Sequence, residues 1–132
     1  MTSSGPLILV VDDYQDAREM YAEFLEFSGF RVAQAGNGEE AVAKATALQP
    51  NVVLMDLSLP IMDGWEASRR MKADPRTCSI PVVALTGHSG VGSASGEARP
   101  QCDAVLIKPC LPEEVLAEVR RLLALQPPVP LQ

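Results

Sequence analysis

Four short apolar runs in this chain end on residues able to do chemistry. LILVV is followed by Asp12-Asp13, VVLM by Asp56, VVAL by Thr86 and AVLI by Lys108-Pro109. Each run reads as a strand, and in an open parallel sheet ligands bind beyond the carboxyl ends of the strands. Three carboxylates converging on one crevice repel one another, which raises at least one pKa unless a cation intervenes. A hard divalent ion resolves that conflict, and Mg2+ (or Mn2+) suits a sparse carboxylate site that keeps several waters. Lys108 adds a positive point charge and Thr86 a hydroxyl donor. A cation, an ammonium and a hydroxyl around one carboxylate are what a transferred phosphoryl group needs to stabilise its charge.

Taken singly, each residue has a plainer reading. Asp12-Asp13 alone is a helix cap or a solvated acidic turn. Asp56 alone caps the loop after its strand, and Lys-Pro alone ends one. Trp65 reads as a partly exposed packing residue beside the crevice, and His88 as a solvated loop residue. Joint placement at successive strand ends favours the chemical reading over these.

The elements that would position the set alternate along the chain. Leu7–Val11 is a continuous apolar run, the mark of a strand buried on both faces. Ala17, Met20, Tyr21, Phe24 and Leu25 recur at helical spacing, and Gly29 is placed to end that helix in the left-handed conformation. Arg31–Ala35 is a second strand. Asn37 and Glu40 have capping-box spacing for a helix through Ala41, Val42, Ala45 and Leu48 that stops before Pro50. Val52–Met55 is a third strand, leading into Asp56. Asp63 and Glu66 repeat the capping spacing for a helix with Trp65 and Met71. Pro81 introduces the strand Val82–Leu85, and Ala104–Ile107 is the fifth. Pro112 suits a first helical turn, with Val115, Leu116, Val119, Leu122 and Leu123 on one stripe. Glu113 and Glu114 near its start and Arg120 and Arg121 near its end match the helix dipole. Alternation of this kind implies an α/β fold, a parallel sheet with helices on both faces.

One segment breaks the pattern. Gly87–Pro100 reads GHSGVGSASGEARP, where a fourth helix belongs. Each interior glycine costs roughly 1 kcal/mol relative to alanine in a helix. Val91, Ala94 and Ala98 offer little burial in return. A weak or irregular fourth helix is expected, mobile rather than stable, with at most a helical turn around Ser93–Arg99.

Composition narrows the function classes. A chain of 132 residues, nearly half of them apolar, fits one domain that buries roughly two thirds of its unfolded surface. The expected division is a flexible N-terminus over 1–6, one domain over 7–125 and a proline-rich tail over 126–132. No apolar run approaches the ~20 residues needed to span a bilayer, and MTSSGP carries no basic region of a secretory signal. A cytoplasmic location is the default. The net charge of −6 argues against nucleic acid as a direct ligand. Cys78, Cys102 and Cys110 form no CxxC pair and, with His88 the only histidine, support no zinc site. They read as buried or semi-buried thiols.

The stretches LILVVDD, VVLMDLSLPIMDG, VVALTG and LIKP, in that order, make the chain resemble the receiver domains of two-component response regulators from about Leu7 to Leu125. The resemblance, to a chemotaxis-regulator-like phosphoacceptor family, implies a flavodoxin-like five-stranded sheet of order 2-1-3-4-5. It implies that Asp56 accepts the phosphoryl group from a phosphohistidine on a sensor histidine kinase or histidine phosphotransfer protein. The Asp13 and Asp56 carboxylates and the Ser58 main-chain carbonyl would ligate the metal, with Asp12 acting through water. Lys108 would pair with Asp56 and then with the phosphoryl oxygens, while Thr86 would donate to the phosphoryl group and move when it arrives. Pro109 would follow Lys108 through a cis peptide. Pro60 and Gly64 match the loop that shapes the entrance, and Ser58 and the His88 position would line the path of the hydrolytic water.

Two features depart from the family pattern. Receivers commonly carry Tyr or Phe three residues before the lysine, and here that residue is Val105. The glycine- and serine-rich segment borders the same face, so the usual dimerisation and partner surface is in doubt. The expectation is a stand-alone phosphoacceptor that signals through an unknown protein target, with no direct nucleic-acid or membrane contact, and is not an enzyme beyond its own phosphorylation and dephosphorylation. One alternative is an Asp-nucleophile phosphatase of the haloacid dehalogenase type, which wants a second Asp where this chain has Ser58. Another is a phosphorylation-independent interaction module. A nucleotide site is weaker still, because Gly36–Gly38 lacks GxGxxG spacing and does not follow the first strand.

Overall fold

Five parallel strands in the order β2-β1-β3-β4-β5 carry the site in a computed structural model that describes residues 5–87, 102–108 and 110–125. The strands are β1 (Leu7–Val11), β2 (Arg31–Ala35), β3 (Val52–Asp56), β4 (Val82–Thr86) and β5 (Ala104–Ile107). The helices are α1 (Gln15–Phe27), α2 (Gly38–Leu48), α3 (Gly64–Ala73) and α4 (Pro112–Leu125). This is the flavodoxin-like order expected. Apart from Gly87, the segment Gly87–Pro100, expected to hold a weak or irregular fourth helix, lies outside the described residues, His88 included, as do Pro109 and both chain ends.

β1, β3 and β4 are buried on both faces, which is why their sequences are unbroken apolar runs. Alternate residues serve two separate cores. Ile8, Val10, Val52, Leu54, Val83 and Leu85 pack with Tyr21 and Leu25 of α1 and Val115, Val119 and Leu122 of α4. Leu9, Val11, Val53, Met55 and Val82 face Ala41 and Ala45 of α2 and Ala67 and Met71 of α3. The edge strand β5 alternates instead, with Ala104 and Leu106 turned to the first core and Val105 and Ile107 exposed.

The helix ends use the expected devices with two changes. Gly29 takes a φ of 105°, and the bonds from Gly29 N to Glu26 O and from Phe30 N to Leu25 O close a Schellman motif on α1. Asn37 and Asp63 cap α2 and α3 by accepting from Glu40 N and Glu66 N. The return halves of both boxes are redirected. Glu40 accepts from Gly36 N at 2.7 Å, whereas Glu66 turns to Arg69 and Arg70. Pro112 opens α4 as expected, with acidic residues in its first turn, but the last turn holds no basic residue. The helix continues to Leu125, so Arg120 and Arg121 lie before the turn where the dipole is felt.

Other expectations need correction at single residues. Met20 and Leu48, counted in the apolar stripes, are exposed, and α1 buries Ala22 with Tyr21 and Leu25 instead. The inward stripe of α1 is therefore rotated from the one its spacing suggested. Cys78 is exposed, while Cys102 and Cys110 are half-buried, and all three are free thiols.

Candidate functional site

β3 and β4 each run one residue further than their apolar runs, so Asp56 and Thr86 are strand residues with strand-fixed backbones. Parallel pairing puts Asp56 opposite Leu85, and Thr86 opposite Ile107 just before Lys108. The Lys108 N–H donates to the Thr86 carbonyl at 2.7 Å, which sets the height of the lysine against its neighbour strand. Asp12 follows β1 and donates its N–H to the Ala35 carbonyl at 3.1 Å. These extensions bring Asp12, Asp13, Asp56, Thr86 and Lys108 to the lining of one cleft of about 740 Å3, with Ser58 and the half-buried Trp65 on its rim.

Asp56, Asp12 and Thr86 are buried, whereas Asp13 is exposed at the mouth. Asp56 is held at both oxygens: Lys108 Nζ donates to Oδ2 at 3.0 Å, and Ser58 N donates to Oδ1 at 2.9 Å. Asp12 is held at one. Its Oδ1 accepts from Tyr14 N at 2.9 Å in a local turn, but the residue is buried and the N-cap of α1 is Tyr14, so Asp12 is neither a helix cap nor a solvated acidic turn. Its Oδ2 is buried without a hydrogen-bond partner and faces Lys108 Nζ at 3.5 Å, an ion-pair contact only.

Burial pushes the Asp12 carboxyl above its ordinary range, outweighing the Tyr14 N–H and the Lys108 charge, while the Asp56 charge adds to the rise. Lys108 is also burdened by burial, but its hydrogen bond to Asp56 and the charges of Asp56 and Asp12 raise its pKa overall. The ammonium therefore stays charged at neutral pH. Among the described residues, one cation serves two buried carboxylates, leaving the site short of positive charge.

That shortage is a test of metal fit. One carboxylate oxygen from each of Asp12, Asp13 and Asp56 lies within 4.8 Å of the others. The donors are all hard oxygens, and the orphaned Asp12 Oδ2 adds an acceptor already stripped of water. Such a set fits a small, hard divalent cation and gives no purchase to a thiolate-preferring one.

The loop from β3 to α3 forms the floor and was only partly legible. Gly64 N donates to Leu57 O at 3.1 Å, and the helix starts so close to β3 that a Cβ on Gly64 would lie 2.3 Å from the Asp56 carbonyl oxygen. Gly38 N donates to Met62 O at 2.8 Å, tying α2 to the same loop. Its Cβ would fall 2.0 Å from that oxygen, so the glycine in Gly36–Gly38 answers to close backbone approach, not to a nucleotide. Ile61, at φ 69°, gave no sequence signal. Val105, at the position where an aromatic is usual, stands exposed on β5.

The chain matches the family model described as the response regulator receiver domain over residues 8–120. It is similar to the DNA-binding dual master transcriptional regulator RpaA of Synechocystis, 37% identical over 118 residues that make up 89% of this chain and 49% of that protein. Response regulator Rre1 of Synechocystis is 39% identical over 120 residues, 90% of this chain and 52% of that one. The chain thus spans about half the length of these curated relatives. A receiver domain of the sensor histidine kinase PA1611 from Pseudomonas aeruginosa, solved with a magnesium ion coordinated in its active site cleft, superposes with a TM-score of 0.84. That match is 27% identical and covers 92% of this chain and 99% of the other. Sheet order, acidic cleft and family match agree, and the chain belongs to the response regulator receiver domain family.

Proposed function

We propose that this chain accepts a phosphoryl group on Asp56 from a phosphohistidine, carried by a sensor histidine kinase or a histidine phosphotransfer protein, and signals through protein contacts. The observation that carries this reading is the double hold on Asp56: Lys108 Nζ at one oxygen and Ser58 N at the other, on the last residue of a buried strand. A carboxylate so fixed loses little freedom when it attacks. In the transfer, an Asp56 oxygen bonds to phosphorus as the phosphorus–nitrogen bond breaks. The electron pair returns to the donor imidazole, which takes up a proton, and an acyl phosphate is left on Asp56.

Lys108, already 3.0 Å from Asp56, holds its charge where phosphoryl oxygens would come to rest. Thr86 supplies a hydroxyl at the end of β4. Asp13, Asp56 and the Ser58 main-chain carbonyl would hold Mg2+, with Asp12 reaching it through water. Bound there, the ion would neutralise charge on the carboxylates and on the transferred group. The 7–125 span would form the receiver unit, acting on an as yet unknown target protein without direct nucleic-acid or membrane contact. Among the described residues no helix is long and apolar enough to cross a membrane.

The test is labelling of the purified chain by a phosphorylated kinase or by acetyl phosphate in the presence of Mg2+. Wild type should become labelled in acid-stable, base-labile form and Asp56→Asn should not. Equal labelling of the two would refute the assignment.

A further inference from the structure

Tyr21 is a buried residue with a hydroxyl that the proposed chemistry does not use. Helical spacing on α1 reads it as one more apolar contact, and its ring does pack in the core shared by α1, α4 and the sheet. Its hydroxyl, however, donates to the main-chain carbonyl of Cys110 at 3.3 Å and lies 3.8 Å from the Cys110 sulfur. Cys110 follows Lys108 by two positions. Burial, and next the contact with Cys110, push the Tyr21 pKa well up, so the hydroxyl keeps its proton and remains a donor at neutral pH.

The consequence lies in how Lys108 is anchored. On its upstream side β5 is hydrogen-bonded to β4, and the Lys108 N–H reaches the Thr86 carbonyl. On its downstream side the chain leaves the sheet for α4, which begins at Pro112. An apolar hollow of about 390 Å3, lined by Ala17, Met20, Tyr21, Lys108 and Cys110, lies beside Lys108 and Cys110. Among the described residues, the Tyr21 hydroxyl is a polar tie that crosses from α1 to Cys110.

We infer that Tyr21 is a positioning residue: its hydroxyl, by holding the Cys110 carbonyl two residues beyond Lys108, keeps Lys108 Nζ on Asp56. The inference rests on the phosphoacceptor reading above. Tyr21 touches neither the phosphoryl group nor Asp56, and it acts only through Lys108. A phenylalanine at this position keeps the ring packing and removes the tie alone.

The experiment is a double-mutant cycle on the rate of Asp56 labelling by acetyl phosphate at fixed Mg2+. It compares wild type, Tyr21→Phe, Lys108→Ala and the double variant. Losing one hydrogen bond of ordinary net strength corresponds to a slowing of roughly threefold to tenfold, which is the loss expected for Tyr21→Phe. The double variant should be no slower than Lys108→Ala, because nothing is left to position. A purely structural role for Tyr21 would slow both backgrounds by the same factor, and that result overturns the inference. So does a Tyr21→Phe protein labelled as fast as wild type. Wild type that takes no label would overturn the phosphoacceptor reading and this inference with it. Labelled wild type with an unchanged Tyr21→Phe would overturn the inference alone.

Discussion

Gly64 opens α3 directly against the backbone of Asp56, with room for a hydrogen but not for a methyl group. A Cβ there would stand 2.3 Å from the Asp56 carbonyl oxygen and 2.7 Å from the Leu57 Cα. Both are main-chain atoms of the segment that carries the Asp56 carboxylate, so no side-chain rotation can relieve the clash. Gly64→Ala should cost roughly 1–3 kcal/mol through overpacking and displace Asp56 as well. Urea unfolding should report the first effect and weakened Mg2+ binding the second. A variant with unchanged stability and unchanged binding would show that the contact yields.

The three carboxylates of the cleft should separate by experiment. Asp12→Asn keeps an acceptor for Tyr14 N and removes the charge whose second oxygen is buried without a hydrogen bond. It should raise the metal-free stability by about 1 kcal/mol, because it removes a desolvated charge that also repels Asp56. Its further gain on adding Mg2+ should fall short of the wild-type gain. Asp13→Ala, at the exposed mouth, should leave metal-free stability nearly unchanged and abolish most of the Mg2+ effect. Trp65, on the cleft rim, offers the fluorescence signal for both titrations. Equal losses of Mg2+ binding in the two variants would contradict a direct ligand at Asp13 and a water-relayed one at Asp12.

Glu40 gives a pH-dependent contribution away from the cleft. Its carboxylate accepts from Gly36 N at 2.7 Å, and that bond, opposed by slight burial and helped by Lys44, lowers its pKa below the ordinary 4.5. A lowered folded-state pKa stabilises the fold above the unfolded-state value and is lost as pH falls through the folded-state value. Glu40→Gln retains an acceptor and isolates the charge. The variant should be less stable than wild type at pH 7 by well under 1 kcal/mol, since the site is half open to solvent. The gap should close as the pH drops below about 4.5. A gap that widens in acid would reverse the sign of the argument.

Much of this architecture can be read from the chain because burial on both faces leaves an uninterrupted apolar signature. Leu7–Val11, Val52–Met55 and Val82–Leu85 are such runs, and the chemistry collects at their ends because a parallel sheet ends its strands on one side. What could not be read is contact between residues far apart in sequence. Helical spacing treats Tyr21 as an apolar residue and cannot show a bond to Cys110, 89 residues away. The tie from Gly38 N to Met62 O is invisible for the same reason. Met20 and Leu48 misled because spacing gives the period of a stripe more reliably than its centre.

The last prediction concerns Ile61, which has a conformation its side chain disfavours. Its φ is 69°, and Met62 N donates back to the Pro60 carbonyl at 2.7 Å, closing a tight three-residue turn. A β-branched residue in this region is held at a cost of roughly 1–3 kcal/mol. Little is returned by burial, since the side chain is 79% exposed. The hold comes from the loop's other ties: Gly38 N on the Met62 carbonyl and Gly64 N on Leu57 O. Ile61→Gly removes the strain but adds about 0.4–1 kcal/mol of unfolded-state entropy to be lost on folding. The balance favours the variant by about 1 kcal/mol. Because no cleft residue changes, Mg2+ binding and the labelling of Asp56 should persist. Urea unfolding of wild type and Ile61→Gly decides the point: a higher midpoint with an unchanged slope is expected. A midpoint lowered by as much as the strain estimate would show that the isoleucine side chain, despite its exposure, stabilises the loop.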